Sequence, residues 1–281
     1  MNVLLTGASG FVGQHLRQAL ARAGHAVVPV SRRDGVDMTR LSTPQRWWPH
    51  LNGIDAVINA AGIISQTRRQ SFAALHDQAP RALFEACVQS GVPRVVQISA
   101  LGADNTAFSA YHLSKRAADD ALRQLPLAWF VLRPSLVHGA GGVSTALFNR
   151  LARLPAIPVV GDGGQRIQPV HIDDLVATVM QCLSAPQARR TLDVVGPQAL
   201  RVVDWLQRLR VAQGLPPGRV CHLPHALVLG LTALCQPFSP LLRVDNLRML
   251  QAGNVADVAP LAAFLGDMPQ APVTPASGGQ P

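Results

Sequence analysis

One tyrosine and one lysine, four residues apart, are the residues of this chain best suited to proton transfer. Tyr111 is the only tyrosine among 281 residues, and of the 25 lysine and arginine residues all but Lys115 are arginine. An ammonium group has a pKa that its surroundings can tune, whereas a guanidinium group stays charged. A spacing of four places both side chains on one face of a helix. The pair therefore predicts a phenol and an ammonium group that cooperate, with a chance Y-x-x-x-K as the alternative.

Three glycines at intervals of three form a second motif, in the run TGASGFVG at 6–13. The run follows an apolar strand pattern and opens a helix pattern, which is the context in which such a turn binds a dinucleotide. Gly7 permits the tight turn, Gly10 lets the backbone approach a pyrophosphate, and Gly13 lets the helix pack on the sheet. The helix N-terminus then offers unpaired N–H groups to the phosphates. A purely structural turn is the alternative.

The elements that must position these motifs alternate along the chain. Strand patterns cover 2–6, 25–30, 55–59, 94–99 and 128–132, and helix patterns cover 11–23, 71–90, with Pro80 as a kink or a new start, and 109–124. Repeated strand–helix–strand units predict a parallel sheet with helices on both faces. The predicted fold class is α/β, a Rossmann-type doubly wound parallel sheet with a smaller C-terminal substrate lobe. The predicted division is a dinucleotide-binding core at 1–135 with 165–197 returning to it, a substrate lobe at 136–164 and 198–269, and a disordered tail at 270–281.

Composition narrows the class of partner. The net charge is +9, but the arginines are spread along the chain without interleaved aromatics, so a nucleic-acid partner is not expected. Anionic cofactors and lipid surfaces stay open as partners. The four cysteines are scattered at 87, 182, 221 and 235, which predicts no metal site and reduced thiols in a cytoplasmic setting.

Membrane and secretion signals are not expected either. The chain opens directly on a strand pattern, so we expect no signal peptide. The apolar run at 226–235 is far short of the roughly 20 residues of a membrane span. A helix at 224–235 could form a pocket wall, lie at a membrane surface as a peripheral contact, or dock on a partner.

The ordered set of motifs resembles the short-chain dehydrogenase/reductase superfamily, in its extended or atypical, NAD-dependent epimerase/dehydratase-like branch. Matching pieces run from residue 3 to about residue 175: TGASGFVG at 6–13, NAAG at 59–62, Ser99, Tyr111 with Lys115, RP at 133–134, GDGG at 161–164 and PVHIDD at 169–174. The runs ISALGA at 98–103 and NLRML at 246–250 further resemble the branch that contains the accessory Rossmann subunit of respiratory complex I.

The resemblance implies hydride transfer coupled to proton transfer. Lys115 would bind the nicotinamide ribose and lower the Tyr111 pKa from its free value of about 10. Tyr111 would act as general acid or base, and Ser99 would hold the substrate oxygen, unless it only satisfies backbone groups. The residues implied to contact the cofactor are Gly7, Ser9, Gly10, Phe11, Val12, Gly13, Ser31, Arg32, Arg33, Asp37, Met38, Asn59, Ala60, Ala61, Gly62, Tyr111, Lys115 and Pro134.

The end of the second strand bears on the choice between cofactors. The run SRRD at 31–34 offers a hydroxyl and two guanidinium groups, which suit a 2′-phosphate because arginine binds phosphate through two hydrogen bonds. NADP(H) is therefore the preferred cofactor. Asp34 follows directly and would serve a 2′-hydroxyl, so NAD(H) stays open. Asp37 stands where family members contact the adenine, and a solvated loop acid is its alternative.

Two functions remain open. The first is an NADP(H)-dependent oxidoreductase or epimerase/dehydratase-like enzyme with an unidentified small-molecule substrate. Only eleven residues separate Ser99 from Tyr111, and extended epimerases usually carry a longer insertion there, which argues against the usual nucleotide-sugar pocket. The second is a non-catalytic NADP(H)-binding protein with an assembly, structural or sensing role. Monomer and homodimer both stay open. His171 either faces substrate or serves as a structural hydrogen-bonding group.

Overall fold

A computed structural model describes residues 1–67, 69–235 and 244–271 of the chain. The twelve strands in this part are β1 (Asn2–Thr6), β2 (Ala26–Val30), β3 (Ala56–Asn59), β4 (Arg94–Ile98), β5 (Ala128–Pro134), β6 (Val137–His138), β7 (Ala156–Val160), β8 (Arg166–Ile167), β9 (Val170–His171), β10 (Arg190–Val194), β11 (Leu200–Arg201) and β12 (Arg219–Leu223). The α-helices are α1 (Phe11–Arg22), α2 (Pro44–Leu51), α3 (Ala79–Gln89), α4 (Ala110–Arg123), α5 (Val143–Arg153), α6 (Ile172–Ser184), α7 (Val202–Ala212), α8 (His225–Cys235), α9 (Val244–Ala252) and α10 (Ala259–Leu265).

Six parallel strands form the central sheet, in the order β10-β5-β4-β3-β1-β2. Every residue of β3, and the last four of β1 and β4, are buried, which is typical of a parallel sheet covered on both faces. One apolar core packs α1, α6 and α10 on one face. A second core, which includes Trp47, Leu83 and Leu122 from α2, α3 and α4, covers the other. The predicted doubly wound α/β fold is confirmed.

The strand order reverses between β1 and β3. The chain goes from β1 to β2 on one side and returns to β3 on the other side. The loops that follow β1 and β3 therefore leave the sheet in opposite directions, which opens a crevice at the carboxyl ends of these strands. The glycine run at 6–13 lies at this crevice.

The segment before α3 is irregular in a specific way. Residues Ala73–Gln78 form a π-helix, and α3 begins at Ala79 with Pro80 in its first turn. Gln78 and Ala79 both have right-handed helical φ and ψ, so the helical backbone passes from the π-helix into α3 without a break. The change of helix type falls at Ala79, next to Pro80.

The C-terminal part builds a smaller core of its own around the fully buried Trp205. The parallel pair β7 and β12 lies in this part and did not stand out in the sequence. Helix α10, in contrast, returns to the sheet, where Leu261 and Phe264 join the first core. Helix α10 falls within the range 198–269 that the sequence assigns to the substrate lobe.

Two further predictions concern the end of the chain. The predicted helix at 224–235 is present as α8, on which Leu227 is half exposed. The described part of the chain contains no helix long and apolar enough to cross a membrane. Of the predicted tail, residues 272–281 lie outside the described residues.

Candidate active site

The glycine turn after β1 is shaped by close backbone contacts. Gly7 has φ +66°, and a Cβ at this position would lie 2.7 Å from the carbonyl oxygen of Ala60. A Cβ at Gly13 would lie 2.1 Å from the carbonyl oxygen of Gly7. A left-handed φ and contacts of this length exclude side chains. The turn and the segment after β3 are thus held against each other at the crevice.

Helix α1 presents its N-terminus at the same place. Its first intrahelical hydrogen bond runs from the Gln14 amide to the Gly10 carbonyl at 2.9 Å, and no side chain caps the helix. The N–H groups of the first helical residues have no partner within the helix, so they suit a phosphate group. Phe11 and Val12, both predicted contacts, begin this helix.

A cleft at the crevice collects most of the predicted cofactor contacts. The predicted residues that line it are Gly7, Ser9, Gly10, Ser31, Arg32, Asp37, Met38, Ala60, Ala61 and Gly62; its wall also contains Val30, Val36, Ile63, Gln70 and Leu75. The predicted contacts outside its lining are Phe11, Val12, Gly13, Arg33, Asn59, Tyr111, Lys115 and Pro134. The glycine cradle, the helix N-terminus and the cleft together fit a dinucleotide.

The residues after β2 differ in what their side chains contact. Arg32 lines the cleft, whereas Arg33 is exposed and does not. The Ser31 hydroxyl donates to the Asp34 carboxylate at 2.5 Å. The Asp37 carboxylate accepts from the amide and hydroxyl of Thr39 at 3.0 and 2.7 Å. These Thr39 bonds lower the Asp37 pKa. Asp37 therefore both lines the cleft and caps a short 3₁₀ turn.

Helix α4 carries the tyrosine and the lysine. The Ser109 hydroxyl caps it by accepting from the His112 amide at 3.1 Å. The half-buried Tyr111 ring makes edge contacts with Phe72 and His76, at centroid distances of 5.8 and 5.5 Å. Phe72 and His76 belong to the segment that contributes Leu75 to the cleft lining, whereas Tyr111 itself does not line the cleft. The Tyr111 ring therefore packs on a segment of the cleft wall.

Lys115 is buried four residues further along. Its Nζ donates to the carbonyl oxygen of Ile98 at 2.9 Å and to that of Ala61 at 3.3 Å. A Cβ at Gly62 would lie 3.3 Å from the same Nζ. The ammonium group thus touches the edge of the cleft through the segment that follows β3. Burial lowers the pKa of Lys115 to about 8, and the charge of Asp119 opposes this effect.

The Tyr111 pKa moves in the opposite direction from the expectation. Burial raises it to about 12, and the negative charge of Asp119 adds to the rise. Lys115 is not among the causes of this shift, and the lowering of the Tyr111 pKa by Lys115 beside a bound cofactor stays a prediction. Burial away from water disfavours the phenolate, and this effect dominates. The phenol keeps its proton and is suited to donate it.

Ser99 lies directly after β4, as predicted, but its hydroxyl faces the interior. It donates to the Asp119 carboxylate, which is fully buried on α4. Gln97 donates to the same carboxylate at 3.3 Å. A serine has one O–H to donate, so in this arrangement that proton is not free for a substrate oxygen. The predicted contact of Ser99 with substrate stays a prediction.

Two predicted cofactor residues make hydrogen bonds at the carboxyl ends of the central strands. Asn59 donates to Gln97 at 2.6 Å and accepts from the Thr6 hydroxyl. Pro134 ends β5, and its carbonyl accepts from the Leu101 amide at 2.9 Å. Neither residue lines the cleft.

His76 and Asp119 are site residues that the sequence did not reveal. The His76 Nε2 accepts from the Ile63 amide at 3.0 Å, so Nδ1 carries the proton and donates to Ser114 at 3.0 Å. Burial lowers the His76 pKa to about 2, with a further contribution from the Lys115 charge. Asp119 had a visible signal, because it continues the four-residue spacing of the tyrosine and the lysine. His76 had none, since a contact from the π-helix to α4 is long-range.

Histidines in the second half serve structure. The His171 Nδ1 accepts from the Asp173 amide at 3.3 Å and so caps α6. His138 stacks edge-on against Trp205 at 5.1 Å, and burial lowers its pKa to about 4. Across residues 1–67, 69–235 and 244–271 there is no group of His, Cys, Asp and Glu residues that could hold a metal ion.

Comparison with known proteins agrees with this geometry. The model of the NAD dependent epimerase/dehydratase family matches residues 3–195. A ceramide reductase of Caulobacter vibrioides (strain NA1000 / CB15N) is 30% identical over 259 residues, which cover 85% of this chain and 78% of that protein. The mitochondrial NADH dehydrogenase (ubiquinone) 1 alpha subcomplex subunit 9 of Arabidopsis thaliana is 28% identical over 213 residues, which cover 68% of this chain and 52% of that subunit.

A solved structure gives the same result for the fold. MoeE5 in complex with UDP-glucuronic acid and NAD is similar to this chain with a TM-score of 0.73 and 25% identity, over 96% of this chain and 94% of that one. The predicted resemblance and the predicted enzyme class, an NAD(P)-dependent oxidoreductase of the short-chain dehydrogenase/reductase type, are confirmed by these relatives. A nicotinamide cofactor is supported, since the structural relative binds NAD.

Proposed function

The chain belongs to the NAD dependent epimerase/dehydratase family, and from this premise we propose that it is an NADP(H)-dependent reductase of a carbonyl group on a substrate with an alkyl chain. The observation that carries the proposal is the Lys115 ammonium bound to Ala61 at the cleft edge, with Tyr111 one turn earlier on the same helix and packed against His76. Residues of the glycine turn, Arg32 and the segment 60–62 would hold the cofactor. A bound nicotinamide supplies the hydride.

Tyr111 is the proton donor in this proposal. Its raised pKa keeps the phenol protonated at neutral pH, and a carbonyl oxygen that gains electron density needs a proton donor within hydrogen-bond reach. Lys115 contributes a positive charge, which favours negative charge on a nearby oxygen. Removal of one such group typically costs about 10²–10⁴-fold in rate.

The choice of substrate class rests on two observations. The relative with 30% identity is a ceramide reductase, which is named for a lipid. In addition, a groove beside the glycine loop at 139–142 is lined on α5 by the apolar residues Val143, Ala146 and Leu147 and by the polar residues Thr145, Asn149 and Arg150. Phe11 lies against this loop, 3.2 Å from where a Cβ at Gly142 would be. The groove therefore adjoins the N-terminus of α1, and the apolar part of its lining suits an alkyl chain.

NADPH consumption tests the proposal. Purified protein is mixed with NADPH and either a long-chain 3-oxo ester, a long-chain methyl ketone or a UDP-linked 4-keto sugar, and absorbance at the NADPH band is followed. We expect consumption with an alkyl ketone and none with the sugar nucleotide. Tyr111→Phe should lose at least about 100-fold in kcat and keep its affinity for NADPH. Leu113→Ala, an exposed position on the same helix, is the matched control.

Two observations favour a second function. The complex I subunit is a relative over 68% of this chain, and the Ser99 proton is donated to Asp119 rather than presented to a substrate. A non-catalytic NADP(H)-binding protein with an assembly role would show NADPH binding with no consumption for any of the three substrate classes. That outcome would replace the reductase proposal.

A further inference from the structure

Asp119 is a buried carboxylate that the proposed chemistry does not use. Its side chain is fully buried on α4, four residues after Lys115 and eight after Tyr111. With 3.6 residues per turn, the three side chains lie along one face of the helix. A buried carboxylate without an opposite charge is costly, so its presence here calls for a physical reason.

The carboxylate ends a chain of hydrogen bonds beneath the cleft. Gln97 donates to Asp119 and accepts from Asn59 at 2.6 Å. Asn59 in turn accepts from the Thr6 hydroxyl, and that hydroxyl accepts from the Ala61 amide at 3.3 Å. The chain therefore runs from α4, across the carboxyl ends of β4, β3 and β1, to the segment that borders the cleft.

Lys115 bonds to the same residue at which this chain of hydrogen bonds ends. Its ammonium group donates to the Ala61 carbonyl, while Asp119 reaches the Ala61 amide through Gln97, Asn59 and Thr6. The second Lys115 bond goes to the carbonyl of Ile98, the residue before the Ser99 that donates to Asp119. One positive and one negative side chain on the same helix thus hold both the cleft edge and the end of β4.

We propose that Asp119 is a positioning residue for the Tyr111–Lys115 pair, because its negative charge keeps the buried Lys115 in the ammonium form and its hydrogen bonds fix the cleft edge at Ala61. Neutral carbonyl groups accept hydrogen bonds from an ammonium group but do not balance its charge. The inference rests on the proposed function only where turnover is the measurement.

The other ionisable groups near Lys115 do not supply this negative charge. His76 is neutral, because burial lowers its pKa to about 2. Tyr111 keeps its proton, because its pKa is raised. Burial raises the Asp119 pKa to about 6, while the Ser99 hydrogen bond and the Lys115 and Arg123 charges lower it. At pH 7.5 the carboxylate is therefore ionised.

Labelling of the single lysine tests the proposal without any turnover. Protein with a lysine-free tag is treated with trace acetic anhydride from pH 6 to 11, and mass spectrometry compares acetylation of Lys115 with that of the N-terminal amine. In Asp119→Asn we expect the pH of half-maximal Lys115 reactivity to fall by about one unit or more, equivalent to a tenfold change in proton affinity. Asp119→Glu should stay near the wild type.

The adjacent Asp120 provides the matched control. Its carboxylate is half exposed and pairs with Arg116 and Arg123 at the surface. Asp120→Asn should leave the Lys115 profile unchanged. An equal profile in Asp119→Asn and Asp120→Asn would overturn the proposal. If Asp119→Asn does not fold, Ser99→Ala replaces it. Loss of the Ser99 hydrogen bond raises the Asp119 pKa, so the acid-side change in Lys115 reactivity should move to higher pH. A Lys115 profile equal to that of the wild type would overturn the proposal.

Turnover then separates this inference from the proposed function. With an alkyl ketone as substrate, the basic limb of the kcat profile in Asp119→Asn should move to lower pH by the same amount as the labelling profile, which a purely structural defect would not do. A shifted labelling profile without turnover in any variant would sink the reductase proposal alone. Turnover with coincident profiles for both asparagine variants would sink the role of Asp119 alone.

Discussion

The ionisation of Tyr111 can be measured directly, because this chain has a single tyrosine. The perturbation is a rise in pH from 8 to 12.5, applied to the folded protein and to the protein in guanidinium chloride. Burial and the Asp119 charge raise the Tyr111 pKa to about 12, against about 10 for an exposed tyrosine. Two pH units correspond to about 3 kcal/mol between the protonated and ionised forms. At pH 11 the denatured protein should be about 90% ionised at this residue, and the folded protein about 10%.

The assay is difference absorbance near 295 nm, where tyrosinate absorbs. Tyr111→Phe should give no tyrosinate signal and corrects for the four tryptophans. The sign for stability follows from linkage: between pH 10 and 12 the folded state holds a proton that the unfolded state has lost, so the free energy of unfolding falls as pH rises. A folded-state midpoint at or below pH 10 would refute the reasoning, because the phenol would then be neither desolvated nor near a negative charge.

Three other changes test separate parts of the site. Arg32→Ala should weaken NADPH binding roughly ten- to hundredfold, because one pair of charge-assisted hydrogen bonds is lost, and should leave NADH binding within about twofold. Both affinities are measured by calorimetry, with Arg33→Ala as the control. Equal losses for the two cofactors would contradict the assignment of Arg32 to the 2′-phosphate. Gly13→Ala should abolish the thermal shift with NADPH, since its Cβ would lie 2.1 Å from the Gly7 carbonyl oxygen; a preserved shift would show that the turn yields. The Lys115 pKa is lowered to about 8, so between pH 8 and 10.5 the unfolded state binds more protons and the free energy of unfolding should rise, by about 2 kcal/mol from pH 7.5 to 9.5. Lys115→Met should remove this rise in guanidinium unfolding curves.

The sequence predicted the parts of the site that depend on local backbone geometry. The glycine run spans eight residues, and the tyrosine and lysine share one helix. Sequence spacing alone therefore predicts the glycine turn and the common helix face of the tyrosine and lysine. The parallel sheet with helices on both faces followed from repeated strand–helix units, since parallel strands require crossover helices. The short pair β7 and β12 has no such local rule, because its partners lie some sixty residues apart.

The side-chain network was not predictable in the same way. Whether Ser99 faces a substrate or the interior depends on which acceptor α4 places behind β4, and that acceptor is twenty residues away. The direction of the Tyr111 pKa likewise depends on desolvation, which is a property of the packed site rather than of the Y-x-x-x-K spacing. A nearby ammonium group lowers a phenol pKa, but burial of both groups removes the water that stabilises the phenolate.

The proton that Tyr111 donates in the proposed reduction must be replaced before the next turnover. A phenol with a pKa of about 12 donates its proton only to an oxygen that is becoming strongly basic, which is what a carbonyl oxygen becomes on reduction. The phenolate left behind then lies on the same helix face as an ammonium group with a pKa of about 8. Transfer of a proton from Lys115 to that phenolate, and its return to Lys115 from water, would restore the pair for the next turnover.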